Sequence, residues 1–96
     1  MKISDLSIEE IKKCYDDPNL QGAAAQFIGL VRKFDRTEDD KYLEDMTEVA
    51  LTTVSKLPFD EVNMDGEWSS NPNTIMLVIG SHMIEFGILP EFDDNS

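Results

Sequence analysis

The segment Asn73–Leu89 constrains this chain more than any other, because Ile75 to Ile79 is an unbroken apolar run and Met83, Ile84, Phe86, Ile88 and Leu89 follow closely. An element that is apolar around most of its circumference has to be covered on several sides. The chain has 96 residues, enough for one domain and too few for two. Either the upstream residues supply that cover, or a second copy does.

The segment fits two periods. As a helix over about 72–86, Asn71 caps, Pro72 takes the first helical position, and Ile75, Val78, Ile79, His82, Met83 and Phe86 share one stripe. Gly87 then supplies the stop, Ile88 its apolar contact and Pro90 the breaker. As strands, Ile75, Leu77 and Ile79 and then Ile84, Phe86 and Ile88 alternate around Gly80-Ser81, a hairpin over 74–89 with a type II′ turn signal. Punctuation agrees with the helix at both ends, so the helix is the expectation and an α+β fold with this hairpin the alternative.

Upstream, three more helices are expected. Ser7 with Glu10 reads as a capping box, and Leu6 with Ile11 as a hydrophobic staple, at the start of a helix over 8–16 with Ile8, Ile11 and Tyr15 on its apolar face. Asp17 and Pro18 open a helix over 18–35 in which Leu20, Ala24, Phe27, Val31 and Phe34 form the core stripe. Its small residues, from Gly22 to Ala25 and at Gly29, suit close approach of another helix, which puts this helix at the centre of the packing. Thr37 with Asp40 reads as a further capping box for a helix over 38–56, with Leu43, Met46, Ala50, Val54 and Leu57 facing inward and Pro58 ending it. The fold class is therefore all-α: a compact four-helix domain over 1–89, a long 57–71 loop, and an acidic tail over 90–96 that frays.

The loop carries Phe59, Val62, Met64 and Trp68, apolar residues that fold it back onto the body; burying an aromatic such as Trp68 contributes roughly 2 to 3 kcal/mol. Within it, Glu61, Asn63, Asp65, Gly66 and Ser69 resemble positions one, three, five, six and nine of an EF-hand calcium loop. The resemblance implies a weak divalent-ion site. It departs from the pattern where Glu61 replaces the usual Asp and where Pro72 stands in place of the bidentate carboxylate. Asp65-Gly66 also reads simply as a turn.

Charge narrows the function. There are 20 acidic residues against 8 basic ones, a formal net charge of -12, which excludes unaided binding to nucleic acid or to anionic membrane surfaces. All the Lys and Arg lie at or before Lys56, and residues 57–96 carry acids alone. On the 38–56 helix Asp40, Glu44 and Glu48 recur at i, i+4 and i+8 with Asp45 beside them. Each like-charge pair costs roughly 0.2 to 0.5 kcal/mol, only partly offset by Lys41 near Asp45. Stability alone does not choose such a stripe.

Chemistry-bearing motifs are sparse. One cysteine, Cys14, and one histidine, His82, exclude an intramolecular disulfide and a four-ligand Cys/His zinc site. Both read as ordinary core or rim residues rather than as a catalytic pair. No glycine-rich phosphate loop or nucleophile elbow occurs, and neither a metal nor a cofactor is expected. No apolar run is long enough for a membrane span, and Met1 to Ile11 lacks a signal-peptide core, so a cytoplasmic protein is expected.

The expectation is a small, non-enzymatic acidic binding protein that inhibits or neutralises a larger basic partner, as immunity proteins, antitoxins and phage-encoded inhibitors do. Asp40, Glu44, Asp45 and Glu48 form its interface, with Glu38 and Asp39 at the edge, and carboxylates spaced along a helix stand in for phosphates if the partner binds nucleic acid. The alternatives are a self-assembling structural or adaptor subunit joined through Ile75–Phe86 and a weak divalent-ion-binding helix-loop-helix protein.

Overall fold

A computed structural model describes residues 1–90; the acidic tail expected to fray lies almost wholly outside these residues. They form four α-helices and one two-stranded antiparallel sheet, in the order α1 (Ile8–Tyr15), α2 (Pro18–Thr37), α3 (Asp40–Val54), β1 (Val62–Met64), β2 (Glu67–Ser69) and α4 (Pro72–Glu85), with a 3-10 turn at Ile3–Asp5.

The C-terminal segment is a helix, and the hairpin over 74–89 does not form. Asn71 accepts from Asn73 N–H at 2.9 Å, and Pro72 follows at the first position. At the other end Ile88 N–H bonds the Met83 carbonyl at 2.8 Å and Gly87 N–H the Ile84 carbonyl at 3.1 Å, with Gly87 at φ 77°. That double bond pattern is a Schellman close, which satisfies the last carbonyls that a continuing helix would have used.

This helix is the most deeply buried element, while α2, as expected, lies at the centre of the packing in contact with α1, α3 and α4. Ile75, Met76, Ile79 and Met83 are fully buried, Val78 and Gly80 nearly so, and the exposed edge narrows to Ser81, Glu85 and Phe86. Burial of each large aliphatic side chain contributes roughly 1.5 to 3 kcal/mol. The cover comes from α2 and α3 along its length, β1 through Val62, and Tyr15 of α1. Most of the apolar run is therefore covered within a single chain.

Three expectations about close packing change. Gly22 and Gly29 have open space where a Cβ would stand, so no helix approaches α2 there. The close approach is at Gly80, where a Cβ would lie 2.5 Å from Ile28 Cδ1, so α4 meets α2 at its own glycine. Ile8 is 69% exposed, because α1 is only eight residues long and leans on the body by Ile11, Cys14 and Tyr15.

The 57–71 stretch is not an unstructured loop. Asp65 and Gly66 have φ of 54° and 87°, the paired positive values of a type I′ turn, and they join β1 to β2 with Met64 opposite Glu67. Asn63 Oδ1 accepts from Gly66 N–H at 3.1 Å and holds the turn. The N-terminus straps the base of this hairpin: Ile3 N–H donates to the Glu61 carbonyl at 2.9 Å, Asp60 N–H donates to the Met1 carbonyl at 2.9 Å, and the Met1 ammonium pairs with the Asp60 carboxylate at 2.6 Å. Phe59 and Val62 are buried, whereas Met64 and Trp68 stay 38% and 39% exposed. Trp68 therefore does not join the core; it lies under the Lys2 ammonium, 4.7 Å from the ring centroid.

The glycines make opposite predictions. Gly22→Ala and Gly29→Ala each raise stability by about 0.5 to 1 kcal/mol, since a helix interior gains and nothing is displaced. Gly80→Val lowers it by about 1 to 3 kcal/mol as Ile28 is forced aside. Urea denaturation of the three variants checks the contrast.

Candidate functional site

Two features of the described surface face outward from the α2–α3 pair: an acidic band on α3 and, adjoining it, a groove between α2 and the same helix. The band begins at the α2–α3 turn. Thr37 does not cap α3: it ends α2, its hydroxyl donating to the Lys33 carbonyl at 2.8 Å. Glu38 closes α2 in the left-handed region at φ 55°, its N–H on the Phe34 carbonyl, and Asp39 is the residue that caps α3, accepting from Lys41 N–H at 3.1 Å. Two of the six expected interface residues thus have local structural tasks as well.

The other four project from α3 opposite its buried residues Met46 and Ala50. Asp40, Glu44, Asp45 and Glu48 are all exposed. None of the six forms an ion pair with a Lys or Arg among the described residues. Lys41 does not offset Asp45; its ammonium sits 4.9 Å from the Tyr42 ring centroid, and that of Lys33 lies 5.9 Å from the same ring. Lys33 and Lys41 are thereby drawn to an aromatic face, and the carboxylates are left to solvent.

The band also carries apolar surface. Leu43, expected in the core, is 40% exposed, and Leu51 is 56% exposed. Leu43, Thr47 and Leu51 recur at i, i+4 and i+8, a strip running beside the Asp40–Glu44–Glu48 stripe. The outer face of α3 thus carries exposed leucines flanked by carboxylates.

On its other side the band borders an open groove of about 620 Å³ between α2 and α3, closed at one end by the α1–α2 corner. Asp45 and Glu48 belong to its rim; Asp40 and Glu44 do not reach it. Sequence spacing alone did not single out this groove, because it exists only once the flank of α2 that carries Ala23 and Leu30 is known to face α3.

The Cys14–His82 pairing does not form. His82 Nδ1 shares a 2.8 Å hydrogen bond with the hydroxyl of the fully buried Tyr15, and the Phe86 ring lies tilted against both rings at centroid distances of 6.1 and 6.0 Å. Burial holds the Tyr15 hydroxyl well above its ordinary pKa, so it remains a protonated hydrogen-bonding group. Cys14 instead faces the groove, where burial and then the charge of Asp17 push the thiol up, the opposite of what a nucleophile needs. The EF-hand resemblance also dissolves in the structure: Asn63 and Ser69 lie on opposite strands of a hairpin, with Asp65 and Gly66 forming its turn. Among the described residues no group of three or more His, Cys, Asp or Glu is placed to hold a metal ion. Among the same residues no helix is long and apolar enough to cross a membrane.

The chain matches no protein-family model, no curated protein and no solved structure. Its site must be read from its own residues.

Glu38 permits a separate test of that reading. Left-handed backbone costs a residue with a Cβ about 1 kcal/mol or more relative to glycine. Glu38→Gly is therefore expected to raise stability by about 1 kcal/mol while removing a carboxylate from the band, measured by chemical denaturation.

Proposed function

We propose that this chain is a non-enzymatic, cytoplasmic acidic binding protein that inhibits or neutralises a larger basic protein by presenting the outer face of α3. The observation that carries the reading is the set of exposed carboxylates between residues 38 and 48, none of them paired with a base among the described residues. A helix that served only the fold would gain by placing Lys41 or Lys33 against these acids, yet both ammonium groups sit over Tyr42.

Charge density favours a nucleic-acid-binding partner. Asp40 to Glu48 covers nine residues, about 12 Å of helix, and carries four carboxylates, an average of one per roughly 4 Å of axis. One strand of B-DNA carries a phosphate about every 3.4 Å. A cleft built to hold phosphates would meet a comparable line of charge on α3, and Leu51 beside it supplies apolar contact that a nucleic acid lacks. The net charge of -12 steers the encounter with a cationic partner and disfavours acidic ones. Inhibitors of this type, including immunity proteins, antitoxins and phage-encoded proteins, act by occupying the partner's working surface, which requires no chemistry of their own.

The test is capture from host lysate, followed by affinity measurement on the partner recovered. The wild-type chain is expected to retain a basic protein at low salt and release it at high salt. Glu44→Lys with Glu48→Lys is expected to weaken binding by about 10-fold or more while circular dichroism stays unchanged. Unchanged affinity in the double variant contradicts the assignment of the band.

A further inference from the structure

The α2–α3 pair has two flanks, and among the described residues α4 covers one of them. On that flank α4 is seated, with Gly80 against Ile28 of α2 and the Asn73 amide 3.3 Å from the Thr47 hydroxyl of α3. The opposite flank is the 620 Å³ groove, lined by Leu20, Ala23, Gln26 and Leu30 of α2, by Val49 and Thr53 of α3, and by Leu57 just past the end of α3. Those on α2 and α3 recur at helical spacing on two neighbouring helices, so they form a trough lying along the helices rather than an enclosed cavity. From Leu20 to Leu30 the trough runs about 15 Å, nearly three turns of helix.

We propose that this groove receives an amphipathic helix of the basic partner, its apolar stripe against the aliphatic walls and its Lys or Arg residues along the α3 rim. The proposal deepens the reading of the chain as a binder of a basic protein and rests on it. Charge complementarity selects the occupant. The rim presents Asp45 and Glu48 from α3 and Asp17 at the α1–α2 corner, the last also accepting from Asn19 N–H, against a single lining cation, Lys56, at the far end. Aliphatic walls under an acidic rim match a helix that is apolar on one side and cationic on the other, the helix-in-groove mode of recognition. A small polycation would leave the walls unsatisfied, and an acidic or neutral helix would gain nothing from the rim. Because Glu48 belongs both to the groove and to the exposed band, a helix seated here continues onto the surface already assigned to the partner.

The probe is a synthetic fifteen-residue peptide with leucines on one helical stripe and lysines elsewhere, beside a scrambled peptide of equal composition that has no stripe. Titrated into the isotopically labelled full chain, the striped peptide is expected to move the amide signals of Ala23, Leu30, Val49 and Thr53 and to bind about 10-fold or more tightly than the scrambled one. Ala23→Trp, which fills the groove, and the exposed-site change Asp45→Lys, which keeps the fold intact, are each expected to weaken it by about 10-fold. Asp40→Lys, outside the groove, is expected to change it by less than about 3-fold. Equal binding of the two peptides, absence of binding, or indifference to both Ala23→Trp and Asp45→Lys overturns the groove proposal. Signals that move only along Leu43, Thr47 and Leu51 overturn it too, while leaving the acidic band as the partner's site; the band itself fails only if the Glu44/Glu48 double reversal leaves partner capture unchanged.

Discussion

Burial of α4 is the interaction on which the other features depend. Its side chains from Ile75 to Met83 are apolar on nearly every side, and the chain answers by setting α2 and α3 along it, folding the β1–β2 hairpin across it through Val62, and closing its last turn with Tyr15. The order of elements follows. A connection that has to leave α3, cross α4's start and return needs length, which is why residues 55–71 form the longest interval between helices and contain a small sheet of their own. With one flank of the α2–α3 pair committed to α4, the other flank and the outer face of α3 are left open among the described residues.

That division of labour explains where the charge sits. Acidic residues are costly near one another and near a compact core, and -12 on 96 residues is a self-repelling total. The fold tolerates it by keeping the core free of buried charged residues and by placing the carboxylates of α3 in solvent. Tolerance is a different matter from use. Exposed leucines at 43 and 51 lie beside these carboxylates, and the α2–α3 groove adjoins them.

Much of the fold was legible because the chain punctuates its helices with side chains whose chemistry is local. Ser7 with Glu10, Asp17 with Pro18, Asn71 with Pro72, and Gly87 before Pro90 each act within four residues, and each acts in the structure as its position implied. Where several equivalent acceptors stand side by side, local chemistry does not choose: Thr37, Glu38, Asp39 and Asp40 could all begin a helix, and the choice of Asp39 follows from α2 running to Thr37 and closing on Glu38. The hairpin was hidden because strands of three residues are too short to show a period, leaving Asp65-Gly66 as the sole signal. Exposure of the acidic stripe was readable from its i, i+4 spacing. The groove was not, since it is a property of two helices and of the flank on which α4 does not sit.

A chain that completes its own core around α4 is expected to be a monomer. Sedimentation equilibrium at low and high salt tests this most directly. A single species of 10.9 kDa at both salt concentrations is the expected result; a dimer that persists in high salt would mean that apolar surface is being covered by a second copy, and would contradict the account.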